Sequence, residues 1–279
     1  LLLVSGSDSG IKTVFDTYAQ SQDCVVSLFP SYAMEQVYIK MFDCQSLAIH
    51  FDYNLNLSID SILDAISPNI RIVLIANPNQ PTGQILSFQE IEQIVETTSQ
   101  NSDAIVVIDE AYIEFSNGKS SLPLVTKYPN LCVLRTFSKA HGLAGFRVGY
   151  GFANEDLIDN LLKIKLPFEP SWPAQVAAMA ALDDLAYIQN TVKSCREGMQ
   201  KMVIVLKKMG LDYIFSSANF LTLVFKNEVE AESFNDNMLH KGIILRHLKG
   251  WGHPDCVRVT IGSDEENEYF IECLSEILY

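Results

Sequence analysis

Basic residues are scarce in this chain: 20 Lys and Arg stand against 34 Asp and Glu, a formal net charge of −14. The acidic residues are scattered rather than gathered into a tail, which argues against nucleic acid or an anionic membrane as the main partner. The six cysteines include no CxxC pair, and several lie inside apolar runs, so they read as reduced core thiols of a cytoplasmic protein. No apolar stretch approaches the roughly 20 residues a membrane span needs, and no basic-then-apolar leader with a cleavage site opens the chain. Internal repeats, low-complexity tracts and linkers are missing as well. So is a GK[ST] triplet, which excludes a P-loop.

What remains is the profile of a globular protein. At 279 residues with 48% hydrophobic composition, the chain can bury a substantial core in one large domain or two unequal ones. Short apolar runs alternate with helical patterns: LLLV, CVVSLF, RIVLIAN, AIVVID, LCVLR and FRVGYGFA are separated by amphipathic stretches such as SIDSILDAI and SFQEIEQIVETT. Buried strands spaced by helices predict an α/β domain with a mostly parallel sheet. Ser87 with Glu90, and Ser263 with Glu266, have capping-box spacing and fix two helix starts. The character changes after Leu182. A long helical pattern from Tyr187 to about Met209 leads into FLTLVF, a polar helix, GIILR, VRVTI and a final amphipathic helix. The expected division is therefore 1–182 for a large domain and 183–279 for a smaller α+β domain.

Ligands of open α/β sheets bind at the carboxyl ends of the strands, and the unusual residues fall at such ends. In LLLVSGSDSGIKTVFDTY a strand meets a Gly/Ser turn and then a helix with Ile11, Val14, Phe15 and Tyr18 on one face. The amides and hydroxyls around Ser7, Asp8 and Ser9 then sit at a helix N-terminus, a seat for phosphate or a simple capped turn. RIVLIAN runs into NPNQPTG, a stiff turn that leaves Asn77 at a strand end, able to hydrogen-bond a ligand. AIVVID delivers Asp109, followed by Glu110, Ala111 and Tyr112. A buried acid there needs a structural ion pair or a cationic partner on a cofactor. In LRTFSKAHGLAGFRVGYG, Lys139 and Arg147 lie among small and apolar neighbours behind Thr136 and Ser138. Two hydroxyls and a guanidinium fork suit a phosphate, and an amine suits an imine, so convergence of the four implies a phosphorylated carbonyl compound such as pyridoxal phosphate.

The motifs NPNQPTG, DEAYIEF, RTFSKAHGLAGFRVGYG and VRVTIGSDEEN, in this order, resemble the fold-type I aminotransferases of class I and II, most closely the histidinol-phosphate aminotransferases. The resemblance covers nearly the whole chain from Gly6. It implies a large domain with a mostly parallel seven-stranded sheet, a smaller C-terminal α+β domain, pyridoxal 5′-phosphate as cofactor and a homodimer. It further implies that Lys139 binds the cofactor covalently and then moves the proton of the reaction. Asp109 would pair with the pyridine nitrogen, Asn77 and Tyr112 would hydrogen-bond the ring oxygen, and Tyr32 would stack on the ring. Ser7, Asp8, Thr136, Ser138 and Arg147 would hold the cofactor phosphate. Arg258 would receive the acidic group of the substrate, joined by Arg246, whose other reading is a strand-edge surface arginine.

The substrates so implied are small molecules, histidinol phosphate and glutamate with their keto partners. The rival expectations are an aromatic aminotransferase, a phosphothreonine decarboxylase, or a cofactor-binding relative without turnover. Two stretches depart from the family pattern: HLKGWGHPDC after Arg246, and PFEPSWPAQ, with Glu169 where relatives often carry Asn. His247 and His253 lie in the first without a third ligand in the pattern and are read as non-ligands, so no metal is expected. His141 and the methionines read as packing. The chain opens on LLLV without Met, so a further N-terminal segment is expected, which in the family covers the site and reaches the partner subunit.

Overall fold

The computed structural model describes residues 1–52 and 55–278. Seven strands, β1 (Leu2–Val4), β2 (Cys24–Phe29), β3 (Gln45–His50), β4 (Ile70–Ala76), β5 (Ile105–Asp109), β6 (Leu131–Thr136) and β7 (Gly149–Phe152), form one sheet in the order β1-β7-β6-β5-β4-β2-β3. Only β7 runs against its neighbours. The mostly parallel sheet expected from the alternation is therefore present. The sequence pattern did not single out β3: it is an edge strand with three exposed residues in a row and no apolar run to mark it.

Helices α1 (Ser7–Tyr18), α2 (Ala33–Met41), α3 (Ile59–Ala65), α4 (Phe88–Asn101) and α5 (Glu155–Ile164) cover the sheet on both faces. Side chains alternate across a strand, so β4 sends Val73 and Ile75 to a core with Ile91 and Ile94 of α4, and Ile72 and Leu74 to a core with Ile11, Val14 and Phe15 of α1. Burial on both faces explains why the central strands read as unbroken apolar runs. The Ser87–Glu90 capping box starts α4 as expected, with both reciprocal bonds made.

After α6 (Trp172–Asp183), α7 (Leu185–Met209) leads to a second sheet. Its strands β8 (Asp212–Ile214), β9 (Phe220–Val224), β10 (Arg246–His247) and β11 (Cys256–Thr260) are all antiparallel, in the order β10-β11-β9-β8. Helices α8 (Glu228–His240) and α9 (Asp264–Leu278) pack on it, α9 starting at the Ser263–Glu266 box. Of the GIILR segment expected as a strand, only Arg246 pairs.

Parallel strands put all their carboxyl ends on one edge. Ser5 and Gly6 after β1, Ser31 and Tyr32 after β2, the turn after β4, Asp109 closing β5 and Thr136 closing β6 therefore converge. Because β7 is antiparallel, its first residue meets the same edge, which brings Arg147 there too.

Candidate active site

A cleft enclosing about 560 Å3 of open space, solvent included, lies at this edge. Ser7, Asp8, Tyr32, Gln80, Asp109, Tyr112, Thr136, Ser138, Lys139 and Arg147 all line it. Nine of these are expected from the sequence and one, Gln80, is not.

The floor is acidic. Asp109 is 5% exposed; Ser7 Oγ donates to its Oδ2 at 3.3 Å, and its Oδ1 is buried with no partner. Burial raises its pKa to about 7, against the opposing pull of the Ser7 and Ala111 donors. The next residue shows what a satisfied buried acid looks like. Glu110 accepts two bonds from Arg135, at 3.0 and 3.1 Å, and further bonds from the Ser120 hydroxyl and the Ser121 amide. Of the two roles open to an acid at this strand end, the structural ion pair belongs to Glu110. Asp109 keeps an oxygen free for a cationic N–H.

One end of the cleft is an anion cradle. Helix α1 starts from Gly6, which makes no side-chain cap, so the first-turn amides of Ser7, Asp8 and Ser9 lack intrahelical acceptors and point outward with the positive end of the helix dipole. Gly6 has φ +86°, and a Cβ there would come within 2.8 Å of Arg147 Nη2. Only glycine lets that guanidinium close on the turn. Arg147 itself takes a left-handed φ of +53°, donating from Nη1 to Ser138 Oγ at 3.1 Å and to the Ala144 carbonyl at 2.9 Å. Thr136 Oγ1 donates to Ser138 Oγ at 2.9 Å. The Asp8 carboxylate accepts the Tyr38 hydroxyl at 3.0 Å. Burial first and Asp8 second raise the hydroxyl pKa values of Tyr38 and Tyr32.

Lys139 is partly buried, its Nζ 5.1 Å from the centre of the Tyr112 ring. Tyr112 donates its hydroxyl to Gln80 Oε1 at 2.7 Å, which leaves the Gln80 amide N–H groups and the Tyr112 oxygen lone pairs facing the cleft. Asn77 is a correction. Its side chain donates to the Leu86 carbonyl at 3.2 Å and accepts the Leu86 amide at 2.7 Å, so it closes the loop below the cleft instead of facing it. NPNQPTG holds three amide side chains, and spacing alone does not say which one a turn points inward; Gln80 is the one.

The second sheet supplies two arginines. Arg246 of β10 and Arg258 of β11 are direct cross-strand partners, so their side chains leave one face about 5 Å apart at Cβ. Arg258 stacks 4.9 Å from the Phe220 ring, which meets Tyr112 edge-on at 5.6 Å, and this chain of rings ties it to the cleft. Its Nε and Nη1 are buried without partners, and burial first, then Arg246, lower its pKa. Like charges facing each other with unmade donors are unfavourable unless an anion joins them. Arg246 is exposed.

His141 is packed 4.7 Å from the Phe137 ring, in keeping with a packing role. Glu169 accepts from Ser9 Oγ at 3.3 Å, near the start of α1. In the other departing stretch, His247 lies 2.6 Å from the Pro254 carbonyl. His253, Asp255 and Cys256 bring three possible ligand atoms within 4.8 Å, a grouping the sequence pattern did not suggest. Burial first, then Asp255, pushes the Cys256 thiol up to about 12, and it donates to Asp255 Oδ1 at 3.6 Å.

Comparison with known proteins follows the same lines. The family model for aminotransferase class I and II matches residues 1–274. The chain is 35% identical over 281 residues to a histidinol-phosphate aminotransferase of Halalkalibacterium halodurans, covering all of this chain and 75% of the relative. It is 37% identical over 284 residues to the Bacillus subtilis histidinol-phosphate aminotransferase, covering all of this chain and 77% of that protein. The crystal structure of a histidinol-phosphate aminotransferase from Sinorhizobium meliloti in complex with pyridoxal-5′-phosphate superposes with a TM-score of 0.91 at 22% identity, over 99% of this chain and 76% of that one.

Proposed function

Since the chain belongs to the class I and II aminotransferases, we propose that it moves an amino group between histidinol phosphate and 2-oxoglutarate, giving imidazole-acetol phosphate and glutamate, or the reverse. One observation carries the substrate side: Arg246 and Arg258 face each other across the hairpin, and the two buried unmade donors of Arg258, tied through Phe220 to Tyr112 of the cleft, ask for a multiply charged anion. A phosphate meets both forks, and the distal carboxylate of glutamate meets Arg258 in its turn. The two substrates then use one site in alternation.

Pyridoxal 5′-phosphate is the cofactor of this family, and the residues fit it. The orphaned Asp109 Oδ1 suits a protonated pyridine nitrogen. The uncapped amides of α1, with Ser7, Thr136, Ser138 and Arg147, suit its phosphate. Gln80 and Tyr112, paired in the cleft lining, would hold a ring oxygen, and Tyr32 would offer a ring to stack on. When bound, the cofactor supplies an aldehyde that takes the amino group and a ring that accepts the electron pair of the α-carbon. Asp109 would keep the proton on the ring nitrogen, which would make that ring a better acceptor. Lys139 would take the proton from the substrate α-carbon as general base and return it as general acid.

The same reading divides the chain at 182/183, at the last residues of α6 and just ahead of the break at Asp184 that separates it from α7 and the second sheet. It makes the active species a homodimer. Phe168 is 91% exposed and Trp172 71%, Leu166, Leu185 and Phe146 are exposed as well, and α6, which Trp172 opens, packs against the 144–146 turn of the Lys139–Arg147 loop. A second copy seated there would close the phosphate end of the cleft. The six unpaired cysteines support a cytoplasmic setting, and the charge of −14 supports small molecules over nucleic acid as partners. Among the described residues no helix is long and apolar enough to cross a membrane.

An absorption titration tests the reading. Purified protein with pyridoxal phosphate should show a visible cofactor band that histidinol phosphate and glutamate each convert to the amine form. A band that histidinol phosphate leaves unchanged would overturn the substrate, and no band would overturn the cofactor site.

A further inference from the structure

The departing stretch HLKGWGHPDC is not used by the cofactor, yet one of its residues spans the two sheets. Residues 249–251 form a short 3-10 turn in the β10–β11 connection, and Trp251 Nε1 donates to the Ser31 carbonyl at 3.0 Å. Gly252, with φ +79°, lies so close to Phe29 that a Cβ would meet the ring at 3.1 Å. The turn is thus seated on the loop after β2 whose next residue, Tyr32, lines the cleft. Arg246 also lies over this indole, its guanidinium carbon 5.8 Å from the ring centre.

Arg246 has a physical problem that this contact answers. It directly opposes Arg258 and is exposed, so repulsion and side-chain entropy both favour swinging it into solvent. An aromatic face within about 6 Å of a guanidinium attracts it, and pinning the indole to Ser31 fixes where that face stands. We propose that Trp251 is a positioning residue that holds Arg246 beside Arg258, so that the pair presents two forks to a phosphate dianion and the chain prefers phosphorylated substrates. This rests on the reading of the arginine pair as the substrate anion site. Ser31 makes the link mutual: its hydroxyl donates to buried Glu35 at 2.9 Å and accepts from Asn79 at 3.2 Å, so the indole docks on a rigid polar cluster.

The test is calorimetric binding to protein loaded with pyridoxamine 5′-phosphate, on which an amine ligand binds without reacting. Histidinol phosphate and histidinol are titrated, and the ratio of their Kd values measures phosphate recognition. Trp251→Leu, which removes ring and N–H, should lower that ratio about tenfold, and Trp251→Phe, which keeps a ring but not the pin, about threefold. In an Arg246→Gln background, Trp251→Leu should change the ratio by less than about twofold, because a residue that acts through another adds nothing once the other is gone. Full additivity of the two losses, or an unchanged ratio in Trp251→Phe and Trp251→Leu where Arg246→Gln lowers it, overturns the inference and leaves the anion site standing. A wild-type ratio near one overturns the anion site itself.

Discussion

The cofactor end of the large sheet and the arginine hairpin of the small one are both proposed to receive an anion, and they are built in opposite ways. At the first, the side chains are committed to one another before any ligand arrives: Thr136 to Ser138, Ser138 to Arg147, Tyr112 to Gln80, Ser7 to Asp109. On the proposed reading this preformed cluster and the uncapped α1 amides would meet the phosphate, and the unpaired Asp109 oxygen would meet a cation. At the second, the arginines rest on aromatic rings with hydrogen-bonding capacity to spare: Arg258 keeps two buried donors unmade, and Arg246 stands opposite it. A resident group rewards preorganisation, since its binding is needed only once. A site that must take a phosphate and a carboxylate in turn, and release both, is better served by groups that the anion itself completes.

The sharpest way to break this contrast is at Lys139, the residue of the cofactor end to which the proposed function gives a chemical task. Lys139→Ala should abolish the borohydride-trapped cofactor adduct and slow the glutamate half-reaction by roughly 10⁴-fold. Survival of the adduct on another lysine, mapped by peptide mass spectrometry, would remove the basis of the assignment.

Asp109 should show that preorganisation has a cost. Asp109→Asn should reduce turnover by roughly 10²–10³-fold, since the ring nitrogen loses its charged partner. In the cofactor-free protein the sign reverses. The folded pKa of Asp109 is raised from 3.8 to about 7, so its contribution to stability is full below 3.8 and is lost as pH rises towards 7. Asn does not titrate. The cofactor-free variant should therefore melt above wild type at pH 8, with the gap closing towards pH 4, as scanning calorimetry would read.

How much of this was legible beforehand follows the same division. Asp109 and Lys139 stand out because each breaks an apolar or small-residue context at the end of a central strand, where a polar residue needs a reason. The central strands are legible because both faces are buried. Edge strand β3 is not, because its exposed residues carry no apolar signal. Asn77 was read into the cleft because a turn sequence fixes the backbone and leaves the direction of each amide open. Only the bonds to Leu86 decide it. Trp251 was visible as an oddity, but its partner Ser31 lies 220 residues away, a separation no local pattern encodes.

The arginines sharpen the comparison from the other side. Arg258→Gln should weaken histidinol phosphate binding by roughly 10- to 100-fold and weaken glutamate as well, because buried charged donors are lost. Arg246→Gln should cost less, about tenfold for the phosphate ligand, since its guanidinium is exposed and water competes for it. Kd values from calorimetry with both ligands would check the asymmetry, and equal losses on glutamate for the two variants would contradict the division of labour.

The smallest effect tests whether the cofactor end is held by neutral hydrogen bonding beneath its charged surface. Glu35 is fully buried on α2; the Ser31 hydroxyl donates to its Oε1, its Oε2 has no partner, and burial raises its pKa well above 4.5. A group raised in the folded state stabilises fully below its unfolded pKa, and that contribution is lost as pH climbs towards the folded value. Gln has nearly the same shape and no proton to lose. Glu35→Gln should therefore leave the melting temperature near wild type at pH 4.5 and raise it by a few degrees at pH 8, a chain of this size shifting about 2–4 °C per kcal/mol. A gap that is constant with pH would mean that Glu35 is ionised in the folded protein, and that the cluster under Tyr32 and Trp251 is held by charge after all.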